Sequence, residues 1–155
     1  MLKEGLKLLF GYNHHVIGVN ARDLSHEESL IQPHPGGNCA NWVLGHIVAT
    51  RGAVLALVGE KPVWSEAESS RYRRGSPPVT NGAGAKSFAD IFTALDRSQE
   101  RLMAGLERVQ DQDLGLPGAE ESPAGQLSVL QFHEAYHAGQ LGLLRRIAGK
   151  QGAIR

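Results

Sequence analysis

Four long segments repeat apolar residues at helical spacing, and this pattern constrains the fold more than any other feature of the sequence. No segment alternates apolar and polar residues convincingly with period two, so no sheet is expected. Helices of about 30 Å with one apolar face each are what a four-helix bundle requires. The sequence therefore predicts an all-α fold. The predicted helices run from Leu2 to Leu24, from Asn38 to Leu57, from Ser87 to Val109 and from Ser122 to Ala148.

The last three predicted helices each begin at a residue type that caps helices. Asn38, Ser87 and Ser122 carry side-chain oxygens that can accept hydrogen bonds from the backbone N–H groups of the first turn. Pro123 follows Ser122, and proline suits the first helical position because its missing N–H is not needed there. The sequence thus predicts these three N-caps.

The connection between the second and third predicted helices, residues 60–86, is long and rich in Gly, Pro, Ser and Arg. A loop of this length is uncommon in a compact domain and is typical of a lid, a crossover or a partner surface. In a bundle it can carry the chain from one end to the other, which makes the two central helices parallel. The chain has 155 residues, and we expect one domain, residues 1–155, with a single core.

Composition and charge argue against several classes of protein. The 16 basic residues are balanced by 16 acidic residues, whereas a nucleic-acid-binding protein usually has a basic excess. Cys39 is the single cysteine, so no intramolecular disulfide can form and a reducing compartment is expected. The N-terminal segment has neither an apolar run long enough to span a bilayer nor a signal-peptide cleavage pattern. We expect a cytoplasmic protein that contacts neither membrane nor nucleic acid.

Three of the seven histidines lie on the predicted apolar faces, His46 on the second helix and His133 and His137 on the fourth. Because His133 and His137 are four residues apart, they project from the same face. A bundle built from these faces brings three imidazoles into its interior, where each polar group needs a partner. A divalent metal ion satisfies all three, and three neutral imidazoles with an open position make a catalytic zinc site. The alternative is a set of hydrogen-bonded core histidines without a metal.

The residues HEAYH at 133–137 also match H-E-x-x-H, the zinc-protease signature. One form of that signature continues with a glycine and a third histidine, but this sequence has Gln140 and Leu143 at those positions. The other form takes a glutamate from a later helix, and the segment after His137 contains no Asp, Glu or His. A zinc protease is therefore not expected, and the third ligand must come from upstream.

Two motifs, NWVLGHIVATR at 41–51 and FHEAYHAGQLGLLRRIAGKQGA at 132–153, carry a resemblance to a known family. The first contains a Trp and a His, and the second reads His-x-x-x-His-x-Gly-Gln with a later Arg and Gly. Together they resemble the DinB-like (DinB/YfiT-type) metalloenzymes, and the resemblance covers the whole chain. The residues that match the family pattern are Trp42, His46, His133, His137, Gly139, Gln140, Arg145 and Gly149.

This resemblance implies a four-helix bundle with up-down-down-up connectivity and a long crossover between helices 2 and 3. It implies a divalent metal ion, most often nickel or zinc, bound by His46, His133 and His137. It also implies a homodimer, no contact with DNA, and a small-molecule substrate. Characterised relatives include S-transferases and an isomerase that use a low-molecular-weight thiol. Three functions remain open: a thiol S-transferase, a metal-dependent hydrolase of a small substrate, and a non-catalytic metal-binding protein.

Four further side chains are candidates for roles around the metal. Glu134 lies about 100° from His133 around the helix, which makes it the candidate catalytic base. The alternative interpretation of Glu134 is a carboxylate on the helix surface. Asn13, Gln99 and Gln140 are candidates to hydrogen-bond a metal ligand, a contact that orients histidine ligands. The alternative for Asn13 and Gln99 is a position at the solvent edge of an apolar face.

The segment SSRYRRG at 69–75 groups Arg71, Arg73 and Arg74. Such a cluster is most often a solvated charged surface. If the connection folds over the mouth of the metal site, these arginines can bind an anionic substrate or thiol cofactor. Trp42 and Cys39 are expected in the core rather than in catalysis.

Overall fold

The computed structural model describes residues 2–115 and 120–154, and every regular element in these ranges is an α-helix. The predicted all-α fold is confirmed, and the long predicted segments correspond to α1, α3, α5 and α7. The helices are α1 (Leu2–Ala21), α2 (His26–Ser29), α3 (Ala40–Leu57), α4 (Glu66–Ser70), α5 (Phe88–Arg108), α6 (Asp111–Leu114) and α7 (Pro123–Ile147).

Two of the three predicted N-caps are confirmed. Ser87 caps α5 and Ser122 caps α7, each by accepting a hydrogen bond from a first-turn backbone N–H. The prediction for α3 is wrong, because the N-cap is Cys39 rather than Asn38, and its side chain makes no capping bond. The buried Cys39 thiol instead lies 3.7 Å from the carbonyl oxygen of Val79. The first residue of α3 is therefore Ala40, one residue later than predicted.

The short helices α2 and α4 were not predicted, although the sequence carries a signal for each. Ser25 and Glu28 form a capping box at the start of α2, and Ser65 and Glu68 form another at the start of α4. In this motif each side chain accepts a hydrogen bond from the backbone N–H of the other residue. The S-x-x-E spacing was therefore informative even though no apolar periodicity accompanies it.

The four long helices contact one another in a ring, in the order α1, α7, α3, α5 and back to α1. Two apolar clusters fill the interior. One cluster joins the second halves of α1 and α7 to the first halves of α3 and α5. The other cluster joins the opposite halves of the same helices. α1 and α7 therefore run parallel to each other, and so do α3 and α5.

Leu9 and Ala53 share the apolar spacing of the first and second predicted helices, but both lie outside the core. Leu9 is 46% exposed, whereas its neighbour Phe10 is fully buried beneath the guanidinium of Arg51. Ala53 is exposed, whereas Arg51 on the same helix is fully buried. The larger aromatic ring fills the interior, and a charge can lie there because Glu134 pairs with it.

α3 is long and apolar enough, by length and composition alone, to cross a membrane. In the structure, however, 67% of this helix is buried inside the protein, and it contacts both α5 and α7. Its high hydropathy is therefore the mark of a central core helix.

The connection between α3 and α5 folds back over the first half of α3. The fully buried ring of Tyr72 lies against Gly45, where an added Cβ would come within 2.2 Å of the ring. The Tyr72 hydroxyl donates to the Asn41 side chain at 3.1 Å and accepts from the Lys86 backbone N–H at 2.8 Å. Only glycine at position 45 lets this tyrosine reach the helix backbone.

Candidate metal site

Three imidazoles from α3 and α7 meet between the two helices, and we call this group the histidine cluster (His46, His133 and His137). The Nε2 atom of His133 lies 3.2 Å from Nε2 of His46 and 3.1 Å from Nε2 of His137. One candidate ligand atom from each residue lies within 4.8 Å of the other two. The structure therefore brings together the three residues that the sequence pattern singled out.

Two members of the histidine cluster have their outer nitrogen fixed by a carbonyl acceptor. Nδ1 of His46 lies 2.7 Å from the Tyr72 carbonyl oxygen, and Nδ1 of His137 lies 2.7 Å from Oε1 of Gln140. Because a carbonyl oxygen can only accept, both Nδ1 atoms carry the hydrogen. Both Nε2 atoms consequently present a lone pair to the cluster. Outer hydrogen bonds of this kind orient histidine ligands and raise their basicity.

These lone pairs create a conflict that a cation would resolve. Nε2 of His133 can carry one hydrogen, which can be donated to His46 or to His137 but not fully to both. In one of the two short N···N contacts, two lone pairs therefore face each other. Buried Nδ1 of His133 has no hydrogen-bond partner among the described residues. A divalent metal ion would accept all three lone pairs. The donor set is thus compatible with metal binding.

Burial keeps the histidine cluster in the neutral form that binds metals. Desolvation lowers the pKa of His46 and His133 below the ordinary value, and it lowers the pKa of His137 to about 4. The Gln140 side chain opposes this shift at His137 but does not cancel it. At neutral pH, protons therefore do not compete with a metal ion for these nitrogens.

Aromatic side chains hold two of the imidazole rings in place. The indole of Trp42 stacks on His46, with ring centroids 4.8 Å apart and an interplanar angle of 15°. Its Nε1–H donates to Oγ of Ser76 in the connection at 3.0 Å. Tyr136 meets the ring of His137 edge-on at 5.2 Å. Trp42 is buried, as expected, and it also supports a candidate ligand.

Glu134 does not lie on the helix surface, which was the alternative interpretation of its position in the sequence. It is 3% exposed, and its two oxygens accept hydrogen bonds from Nε and Nη2 of Arg51 at 2.5 and 2.8 Å. Arg51 also donates to Oε1 of Gln99 at 2.8 Å and contacts the Ser98 hydroxyl at 3.5 Å. We call this group the arginine cluster (Arg51, Ser98, Gln99 and Glu134). Arg51 was not among the residues predicted from the sequence, although it is the lone charged residue of the apolar α3.

Of the three amide side chains considered as partners of a metal ligand, one contacts a histidine. Gln140 does so through His137 Nδ1, as described above. Asn13 is buried, and it donates to the Gln131 carbonyl oxygen at 3.0 Å, which joins α1 to α7. Gln99 accepts from Arg51 in the arginine cluster. Asn13 and Gln99 thus each contact a group on a facing helix, and a role for them beside a metal ligand stays a prediction.

The three arginines of the connection lie in different environments. Arg71 donates to the carbonyl oxygens of Pro77, Pro78 and Ala83. All four residues belong to the connection, so these bonds hold two parts of the connection together. Arg73 forms an ion pair with Glu66. Arg74 is exposed and has no ion pair within residues 2–115 and 120–154. Arg71 therefore anchors the connection internally, whereas Arg73 and Arg74 are exposed.

Two clefts open onto the histidine cluster. The connection cleft, of about 670 Å³, is bounded by His46, His133 and residues of the connection between α3 and α5. The α7 cleft, of about 520 Å³, is bounded by the whole histidine cluster, by residues 33–38 and by the second half of α7. Arg74 lines both clefts and Arg73 lines the connection cleft. A small molecule can therefore approach the candidate ligands from two sides.

Comparison with known families agrees with these observations. A family model of the DinB superfamily matches residues 20–141, a range that contains both clusters and the whole connection. A search of curated proteins finds no match. Because the family model covers most of the sequence, the chain belongs to the DinB superfamily.

Proposed function

We propose that this protein is a divalent-metal-dependent enzyme of the thiol S-transferase kind, with His46, His133 and His137 as metal ligands. The observation that carries the proposal is the position of the neutral histidine cluster at the base of a large cleft lined by the connection. A purely structural metal site is closed, whereas a catalytic site needs access for substrate. Nickel and zinc are the metals we propose, since both suit imidazole ligands.

When bound, the metal ion would provide an open coordination position and lower the pKa of a thiol held there. The chain contributes the rest of the site. The Tyr72 carbonyl oxygen and Gln140 orient two of the ligands, and Trp42 shields His46 from water. In the proposed reaction the thiol sulfur forms a bond to an electrophilic carbon, and the leaving group departs with its electron pair. The thiol proton passes to solvent.

The hydrolytic alternative depends on Glu134 as a general base for water. Both of its oxygens are engaged by the buried guanidinium of Arg51, and this engagement supports a role in positioning α7 instead. A general base must reach the proton that it removes. We therefore prefer the transferase, and the catalytic role of Glu134 stays a prediction of the hydrolytic alternative.

We also propose that the chain forms one domain, an up-down-down-up four-helix bundle in which residues 60–86 make the crossover. The ring of helix contacts and the halves of each helix that share an apolar cluster support this arrangement. A long connection between parallel central helices is the expected consequence of such connectivity. The buried, unpaired Cys39 is consistent with the proposed cytoplasmic location.

A homodimer is the proposed assembly, and an exposed apolar patch on the α1–α7 pair supports it. Leu8, Tyr12, Val129 and Phe132 are each more than half exposed, with Phe132 at 71%. Exposed patches of this kind mark interfaces, and a twofold axis pairs a patch with itself. Phe132→Ser is expected to convert a dimer to a monomer in light scattering, whereas Ile154→Ser outside the patch is not. A monomeric native protein would contradict the assembly.

Thiol transfer is tested with protein stripped of metal and reloaded with Zn²⁺ or Ni²⁺. The loaded protein is incubated with 1-chloro-2,4-dinitrobenzene and a panel of small thiols, and conjugates are identified by mass spectrometry. We expect a conjugate whose formation requires the metal and is lost in His46→Ala, with circular dichroism as the check on folding. Failure to form a metal-dependent conjugate with any thiol would contradict the proposed function.

A further inference from the structure

The histidine cluster and the connection meet at Tyr72. The backbone carbonyl oxygen of this residue accepts from Nδ1–H of His46 at 2.7 Å. Its hydroxyl, at the other end of the side chain, bonds to Asn41 of α3 and to the Lys86 backbone N–H. One residue of the connection therefore contacts a candidate metal ligand and also fastens the connection to α3. Any movement of Tyr72 away from α3 would remove the acceptor of His46.

A second contact repeats this arrangement four residues later. The indole of Trp42 stacks on the His46 ring and donates through Nε1–H to Oγ of Ser76 at 3.0 Å. Residues 72–76, which we call the anchor segment, are thus held on the first two turns of α3. The groups that hold them are His46 itself and the side chain that supports its ring.

The anchor segment also forms part of the connection cleft. His46 and Thr50 line this cleft from α3, and Arg73 and Arg74 line it from the anchor segment. The cleft beside the histidine cluster therefore exists only while the anchor segment is docked on α3. Loss of docking would remove one wall of the cleft and release the His46 ring at the same time.

We infer that docking of the anchor segment on α3 is coupled to metal binding at the histidine cluster, with Tyr72 as the positioning residue that joins them. While Tyr72 is docked, its carbonyl oxygen holds the His46 ring with the Nε2 lone pair toward the cluster. A His46 ring whose Nε2 is bound to a metal keeps its Nδ1–H directed at the same carbonyl oxygen. The inference rests on the metal binding of the proposed function but not on thiol transfer.

The coupling has to be reciprocal. The undocked form binds the metal more weakly, by the same factor by which bound metal makes undocking rarer. The metal-loaded protein consequently has the better-formed connection cleft. In this way the chain completes its cleft for a small molecule when the metal site is filled.

Tyr72→Phe tests the coupling from the side of the metal. This change deletes both hydrogen bonds of the buried hydroxyl and leaves the carbonyl oxygen in place. The affinity for Zn²⁺ is expected to fall roughly tenfold, since His46 is held less firmly. Competition with a chelator measures the affinity. Ser76→Ala, which removes the acceptor of Trp42 at a half-buried position, should lower it less and serves if Tyr72→Phe does not fold.

Arg101→Met is the matched control. Arg101 donates to the carbonyl oxygens of Lys61 and Pro62, so it ties the start of the connection to α5 rather than to α3. Its loss should leave the affinity for Zn²⁺ unchanged. Unchanged affinity in both Tyr72→Phe and Ser76→Ala would overturn the inference, and so would an equal fall in Arg101→Met.

Trypsin tests the coupling from the side of the anchor segment, because it cleaves after Arg73 and Arg74. Both residues are exposed, but their peptide bonds must leave α3 to enter the protease. Saturating Zn²⁺ is expected to slow cleavage there roughly tenfold, within the usual range of coupling between two sites. His133→Ala lacks a candidate ligand and should lose this protection. Cleavage after Lys150, in the C-terminal segment, is the internal control and should not respond to Zn²⁺.

NMR of the metal-free protein provides a readout that needs neither metal nor activity. Long-range proton–nitrogen spectra above neutral pH distinguish the two tautomers of a neutral imidazole. His46 should be the Nδ1–H tautomer in the native protein and a mixture of both tautomers in Tyr72→Phe. His137, whose Nδ1 contacts Gln140 instead, should be the same in both proteins. A native tautomer of His46 in Tyr72→Phe would contradict the positioning role.

These results separate the inference from the proposed function. Protection of the anchor segment by Zn²⁺ without any thiol transfer would support the coupling and contradict the proposed enzyme. Thiol transfer with equal trypsin cleavage in the presence and absence of Zn²⁺ would overturn the coupling and leave the enzyme in place. A native protein that binds no Zn²⁺ would contradict both. Circular dichroism and the melting temperature of each metal-free variant verify that the fold is retained.

Discussion

The arginine cluster and the histidine cluster lie side by side between α3 and α7. They differ in whether their buried polar groups find matching hydrogen-bond partners. In the arginine cluster, Arg51 donates to both oxygens of Glu134 and to Gln99, so donors and acceptors match. In the histidine cluster, three similar rings turn nitrogen atoms toward one another, and the available protons cannot satisfy them. Complementary groups make a closed structural contact, whereas identical acceptors make a site for a cation.

The two clusters are also mechanically linked. Glu134 is the neighbour of His133 on α7, and Arg51 lies just over one helical turn after His46 on α3. The ion pair between Arg51 and Glu134 therefore fixes the relative position of the helices that carry the candidate ligands. We expect substitutions in the arginine cluster to lower mainly the free energy of unfolding. We expect substitutions in the histidine cluster to reduce mainly the binding of metal.

The largest expected effect is loss of metal from the histidine cluster. His133→Ala removes the nitrogen that lies closest to both other ligands, and the metal content is expected to fall from about one ion per chain to near zero. His15→Ala, at an exposed position of α1, should retain the metal. Elemental analysis of the purified variants measures this difference. Equal metal content in both variants would refute the three-histidine site.

The next largest expected effect is a loss of stability when the arginine cluster is disrupted. Glu134→Gln leaves the buried charge of Arg51 without a counter-charge, and the free energy of unfolding is expected to fall by about 3–5 kcal/mol. The double variant Arg51→Met with Glu134→Leu removes both charges and should lose less. Urea denaturation of the metal-free proteins compares the two. A greater loss in the double variant would show that the ion pair itself stabilises the fold.

A smaller effect is expected when the support of a ligand is removed. Gln140→Leu deletes the acceptor for Nδ1 of His137, and the affinity for metal is expected to fall about 10- to 100-fold. Gln126→Leu, at an exposed position of the same helix, should leave the affinity unchanged. Competition with a chelator measures both. Unchanged affinity in Gln140→Leu would indicate that this hydrogen bond does not orient the ligand.

The last prediction concerns the pH dependence of the metal-free protein. The pKa of His137 is about 4 in the folded state against an ordinary value of 6.5, so the unfolded chain binds more protons between these values. The free energy of unfolding should therefore be constant above pH 6.5 as far as His137 is concerned, and it should fall as the pH drops toward 4. Urea titrations of the native protein and His137→Gln measure this, and identical slopes would contradict it.

Much of the helical fold was predictable because its signals are local. Apolar spacing, together with Ser87 and Ser122 as caps, depends on residues within a few turns of one another. The contacts that were missed join distant parts of the chain. Arg51 and Glu134 are 83 residues apart, and His46 and Tyr72 are 26 apart. No periodic pattern reports which faces will pack against each other.

The sequence by itself determined that the protein is helical and that three histidines lie on inward faces, because a period of 3.6 residues selects the buried side of each helix. Only the tertiary structure decided that Glu134 pairs with Arg51, that Gln140 rather than Asn13 contacts a histidine of the cluster, and that two clefts reach this cluster. The physical reason is that burial demands a partner for each polar group, and packing between distant segments determines which partner is within reach.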